Sequence, residues 1–96
     1  MPLNESEAKI LMALNVYGPV PVMDLVEKAS VSSGSTVLKA VDSLMSRGLV
    51  KDEREQRSPR RRMITLTGPG KRAAESLAEV ERQIEVAKNY AGTHVK

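Results

Sequence analysis

Four arginines bracket one short turn. Arg54 and Arg57 precede Ser58-Pro59, and Arg60 and Arg61 follow it; with Lys51 and Arg62 they give residues 51–62 six basic groups against Asp52, Glu53 and Glu55. Guanidinium groups offer phosphate paired N–H donors, and arginines on a stiffened loop suit the narrow, electronegative minor groove of duplex DNA. The charge is local. The whole chain has a net charge of only +3, and residues 1–32 are net acidic, with Glu5, Glu7, Asp24 and Glu27 against Lys9 and Lys28. A basic excess confined to one segment is the footprint of a polyanion contact. A hairpin that is merely charged and solvated is the plainer alternative.

A second group lies upstream. If Val37, Ala40, Val41 and Leu44 turn inward on a helix, the other face carries Ser33, Ser35, Thr36, Leu38, Lys39 and Ser43. Small hydroxyls near a helix N-terminus can approach base edges and phosphates closely, and the N-terminus itself favours phosphate oxygens. Lys39 can reach a guanine edge or a phosphate, and Leu38 a thymine methyl. Asp42 belongs at the margin of such a surface. The competing reading makes Ser33 and Ser35 simple caps and packs Leu38 against the arginine hairpin.

Nothing in the chain assembles a reaction centre. The single histidine, His94, falls in the tail, and there is no Ser/His/Asp set, glycine-rich phosphate loop or metal-ligand spacing. We therefore expect neither enzymatic activity nor a cofactor or metal. The absence of cysteine rules out disulfides and fits a reducing compartment. Only Tyr17 and Tyr90 supply aromatic rings, which counts against single-strand or RNA binding by base stacking. The first residues lack a basic stretch followed by an apolar core, and no apolar run reaches spanning length, so a cytoplasmic, nucleoid-associated protein with no membrane partner is expected.

The elements that must hold these residues are legible. Ninety-six residues, 41% of them hydrophobic, suit one aliphatic core. Asn4-Glu5-Ser6-Glu7 has the pattern of a capping box, and the apolar spacing behind it predicts a helix over about 5–16. A short helix is predicted over about 22–29 after Pro19 and Pro21. A turn from Ser30 to Gly34 follows, then a third helix over about 34–46 with Gly48 beyond its end. The period then changes to two: strands are predicted over 49–54 and 62–66, joined by the polar loop from Glu55 to Arg61. Thr67-Gly68-Pro69 reads as the start of a last helix over about 68–91. The fold expected is mainly α with a small β-hairpin (α+β): three helices plus a wing, then a long C-terminal helix. The domains expected are a winged helix-turn-helix unit at 1–67, a dimerisation helix at 68–91 and a flexible tail at 92–96.

Ser35-Thr36-Val37, Val41 and Leu44, then Arg47-Gly48-Leu49-Val50, and later Arg60-Arg61-Arg62-Met63-Ile64-Thr65-Leu66-Thr67 carry a resemblance. From about Gly18 to Gly70 the chain resembles the DNA-binding core of MarR-type regulators, a frame shared with PadR-like and archaeal-type small winged-helix proteins. The resemblance implies a recognition helix in the major groove and a wing on the flanking duplex. It also shows departures: a turn at Ser30–Gly34 that is long by about one residue, and no acidic–arginine pair at the loop tip. MarR proteins frame an effector pocket with extra helices, which this chain is too short to build, so no small-molecule effector is expected.

The last helix has its own pattern. Ala73, Leu77, Val80, Ile84, Ala87 and Ala91 recur at steps of four and three, a coiled-coil seam, with charged residues off it. Leu77, Val80, Ile84, Ala87 and Ala91 are therefore the expected homodimer interface, although the first turns also suit packing against the first helix. Together these readings describe a homodimeric, double-stranded-DNA-binding transcriptional regulator, of the kind that represses by occluding a promoter. An architectural DNA-binding protein with little sequence preference and a protein-binding winged-helix module are the alternatives.

Overall fold

Asn4 starts the first helix by reciprocal capping. The Glu7 amide donates to Asn4 Oδ1 at 2.8 Å and the Asn4 amide to Glu7 Oε1 at 2.9 Å, which satisfies amides that a helix start leaves open. In the computed structural model, which describes residues 2–94, this helix, α1, runs Glu5–Tyr17. A two-residue strand, β1 (Val20–Pro21), follows, then a 3-10 turn (Val22–Asp24) that leads into α2 (Leu25–Lys28). The helix expected over 22–29 is thus half 3-10 turn, and no side chain caps either part. The sequence pattern does not predict the strand. Two residues carry no alternation to read, and its proline is tolerated because β1 lies at a sheet edge.

The recognition-type helix, α3, spans Gly34–Ser46. It ends in a Schellman turn: Gly48, at φ +74°, donates to the Met45 carbonyl at 3.0 Å, and Leu49 donates to that of Leu44 at 3.0 Å. Strands β2 (Val50–Arg54) and β3 (Arg62–Leu66) then form the hairpin, and β3 also pairs with β1, giving a three-stranded antiparallel sheet ordered β1-β3-β2. The architecture is four helices with a small antiparallel sheet, the α+β class expected from the pattern.

Register decides which strand residues meet the helices. Asp52 pairs with Ile64, Arg54 with Arg62 and Val20 with Ile64. Arg62, Ile64 and Leu66 therefore alternate onto the helix-facing side. There Ile64, Val20 and Val50 join Ile10, Leu11, Leu14, Leu25, Val37, Val41 and Leu44 in one aliphatic core.

The final helix, α4, runs Gly68–His94. Thr67 splices it to the rest. Its hydroxyl donates to the Gly48 carbonyl at 2.6 Å and accepts from the Gly70 amide at 3.1 Å. Gly70 is required by proximity, since a Cβ there would lie 1.8 Å from the Leu49 carbonyl oxygen. Ala74 is buried in the core, and Ala73 and Leu77 pack on it. The helix continues through Gly92, three residues further than expected, and the rest of the expected tail, 95 and 96, lies outside the described residues. The molecule measures 58 × 24 × 22 Å, the long axis reflecting a helix of about 40 Å.

Candidate DNA-binding surface

Among the candidates on α3, Ser33 is the N-cap. Its Oγ accepts from the Thr36 amide at 3.3 Å and lies 3.1 Å from Ser35 Oγ and 3.0 Å from Thr36 Oγ1. The structure brings the three hydroxyls together, but as a cluster bonded within itself. Lys39 and Leu38 are exposed beside them, and Lys39 makes no ion pair among the described residues. Asp42 follows one turn later, also exposed.

Ser43 lies at the margin of this surface, in a depression it shares with Thr36, Lys39 and Glu7. It is half-buried beside the carboxylate of Glu7 on α1 and, by hydrogen bonding, is the largest cause that lowers the Glu7 pKa. Glu7 is only 4% exposed. The Ser43 hydrogen bond holds its pKa below the ordinary glutamate value, helped by the Asn4 amide and the charge of Arg47, against burial, which pushes it up. Its place opposite Val37 and Val41 suggests an outward side chain. It sits instead on the flank of α3 that meets the start of α1.

The wing divides its arginines. Arg61 is clamped on Glu55, its Nε donating to Oε1 at 3.0 Å and its Nη2 to Oε2 at 3.0 Å, while its amide also donates to Oε1 at 3.1 Å. The Arg61 bonds lower the pKa of Glu55 and those of Glu55 raise that of Arg61. An acid–arginine pair absent from the loop tip thus forms at its base. Arg54 Nη1 donates to the Arg60 carbonyl at 3.3 Å across the same loop. Arg54 and Arg61 build the wing; Arg57 and Arg60 are exposed on it and their guanidinium groups enter no ion pair among the described residues.

Arg62 is more than a wing charge. Its Nε donates to Asp52 Oδ2 at 2.6 Å, and its Nη2 lies 4.0 Å from Asp42 Oδ1 and 3.9 Å from Met45 Sδ. It therefore ties the hairpin to α3 at the edge of the core. The signal for this lies in the alternation: Arg62 is in phase with Ile64 and Leu66, the strand residues that face the helices.

The outer half of α4 presents Val80, Ile84, Val86 and Tyr90, each about half-exposed or more, with Ala87 and Ala91 exposed beside them. Leu77 differs. It is half-buried against the chain's own core. No helix among the described residues is long and apolar enough to cross a membrane, and no acidic, histidine or cysteine cluster there has the geometry to hold a metal ion.

Two helices leading into a recognition-type helix, flanked by a basic antiparallel hairpin, define a winged helix-turn-helix protein of the DNA-binding class. Within it, the chain belongs to the TrmB family, described as sugar-specific transcriptional regulators, whose model matches residues 1–66. No curated protein matches the chain significantly. Among solved structures, ZitR of Lactococcus lactis superposes with a TM-score of 0.83 at 23% identity, covering 99% of this chain and 64% of that one. A MarR family regulator of Silicibacter pomeroyi DSS-3 gives 0.77 at 27% identity over 93% and 62%. BpsR of Bordetella bronchiseptica gives 0.76 at 23% identity over 91% and 67%. The MarR resemblance read from the motifs thus holds at the level of fold, and the chain spans about two thirds of these neighbours' length. BpsR is a protein whose DNA binding is regulated by 6-hydroxynicotinic acid. That finding goes against the expectation of a regulator without an effector: chain length was the only ground for it, and this fold occurs in a protein that answers to a small molecule.

Proposed function

We propose that residues 1–67 bind double-stranded DNA, with α3 in the major groove and the wing on the minor groove or backbone, and that α4 joins two copies into a regulator that represses by occupying its operator. The observation that carries the reading is the position of Arg57 and Arg60. They stand exposed on a wing whose base is braced by Arg61, Glu55 and Arg54, and α3 carries a further exposed cation, Lys39. Cations without internal ion pairs are available to phosphate, and bracing of the loop at its base limits the backbone freedom lost on binding it. Among the expected contacts, Ser35, Thr36, Leu38, Lys39, Arg57 and Arg60 remain the groups directed at DNA, and Ser33, Ser43, Arg54 and Arg61 hold them in place. The family's description makes a sugar the first effector to test.

The reading is tested by titrating random duplex at two salt concentrations. Replacing Arg57 and Arg60 together by alanine should reduce the log–log salt slope by about 1.8, at about 0.9 for each phosphate no longer neutralised. An unchanged slope removes the wing tip from the interface. The self-bonded hydroxyl cluster favours a second reading, an architectural protein with little sequence preference. Selection from a random duplex pool separates the two, since only a sequence-specific regulator enriches a defined site.

A further inference from the structure

We infer that α3 reads pyrimidine 5-methyl groups through Leu38, so that thymine, or 5-methylated cytosine, at the facing base pair raises affinity. This rests on the DNA-binding reading above. Leu38 is 40% exposed, whereas Val37, Val41 and Leu44 of the same helix are completely buried. It adjoins Lys39 on the open side of α3, so its exposure lies within the surface whose cations face DNA. Met23 extends the apolar strip. It is 49% exposed, and its Sδ and Cε atoms lie 3.4 Å from where a Cβ on Gly34 would stand, one helical turn before Leu38 on the same flank.

The polar groups around this strip are poorly placed to read base edges. Ser33, Ser35 and Thr36 have three hydroxyl protons, and the two contacts among them use two. Ser43 lies half-buried beside Glu7 at the margin of this face. Asp42 lies 4.0 Å from Arg62 and offers only acceptor oxygens. Lys39 and one hydroxyl proton are the side-chain donors that remain among these groups, and both serve phosphate as readily as a base. An apolar side chain at this point has one apolar feature to meet in the major groove, the methyl group on pyrimidine C5.

The chemistry supplies its own test, because uracil has the hydrogen-bonding edge of thymine without the methyl. The full chain is titrated against a random duplex pool made with thymine and the same pool made with uracil, then against a duplex selected from the first pool. In that duplex each thymine is replaced in turn by uracil, and each T·A pair by a 5-methylcytosine·guanine pair. Removing one buried methyl weakens binding about fourfold. At one position per half-site, uracil should cost about that factor and 5-methylcytosine should recover affinity relative to cytosine. Leu38→Ala should bind the thymine and uracil duplexes equally, while Leu38→Met keeps the preference. Equal binding of both pools by the unaltered protein overturns the inference and leaves DNA binding standing. A uracil penalty that persists in Leu38→Ala also overturns it, since the methyl would then be read elsewhere. No binding to either pool overturns the DNA reading, and this inference with it.

Discussion

Glu7 shows how a single buried charge links two helices at once. Its carboxylate accepts the Asn4 amide at the start of α1, and hydrogen bonding by Ser43 of α3 is the largest cause of its lowered pKa, which links the scaffold helix to the recognition helix. Because folding lowers its pKa, the ionised form stabilises the fold at and above the ordinary carboxylate range. That contribution is lost as the pH falls through the lowered value. Ser43→Ala removes the largest cause of the lowering and leaves a buried carboxylate short of a donor. We expect a loss of about 1–2 kcal/mol at neutral pH, and a smaller difference from the unaltered protein under acid conditions, where Glu7 is protonated in both. Denaturant unfolding at neutral and acid pH measures this; a difference that does not shrink in acid would mean that Ser43 acts through packing alone. A difference that shrinks in acid would assign Ser43 to the scaffold through Glu7.

At the scale of elements, Arg62 is the side chain that reaches from the wing to α3. It bonds Asp52 on β2 and approaches Asp42 on α3, so one side chain spans hairpin and helix. Arg62→Met keeps the length and the packing on Met45 but drops the charge tie. The expected result is a DNA affinity about tenfold lower, about 1.4 kcal/mol, with an almost unchanged salt slope, because Arg62 points inward rather than at phosphate. A slope that falls by about 0.9 would instead place Arg62 on the DNA. The elements themselves were legible where a period could be counted: α1, α3 and both hairpin strands fall within one residue of their expected limits. β1 and the 3-10 turn escaped because neither is longer than one repeat of its own pattern. The basic run revealed where charge is concentrated but not how it is spent. Whether Arg61 and Arg62 face DNA or a carboxylate depends on register across the hairpin, which only the folded pairing of Asp52 with Ile64 fixes.

At the scale of the whole molecule, α4 runs on well past the core that its first turns complete. Ala74 and Leu77 end the intramolecular contact, and beyond them Val80 and Ile84 are 53% and 49% exposed on one stripe with Ala87 and Ala91. Ion pairs of Glu79 with Arg82 and Glu85 with Lys88 lie off that stripe and support the helix as it extends. A helix of this length with an uncovered apolar stripe is accounted for if a second copy lies along it, and a two-fold pairing would hold two α3 helices for half-sites about 34 Å apart. The choice of substitutions matters. A charge at Leu77 would strike the chain's own core and confuse unfolding with dissociation, so the informative changes are Val80→Glu with Ile84→Glu. In sedimentation the unaltered chain should behave as a dimer and the double variant as a monomer with its helical content intact. The monomer should still bind a single half-site, but without the gain that a tethered second reader adds. A variant that stays dimeric would place the interface on another face, with Val86 and Tyr90, exposed on the adjoining flank, the next residues to change.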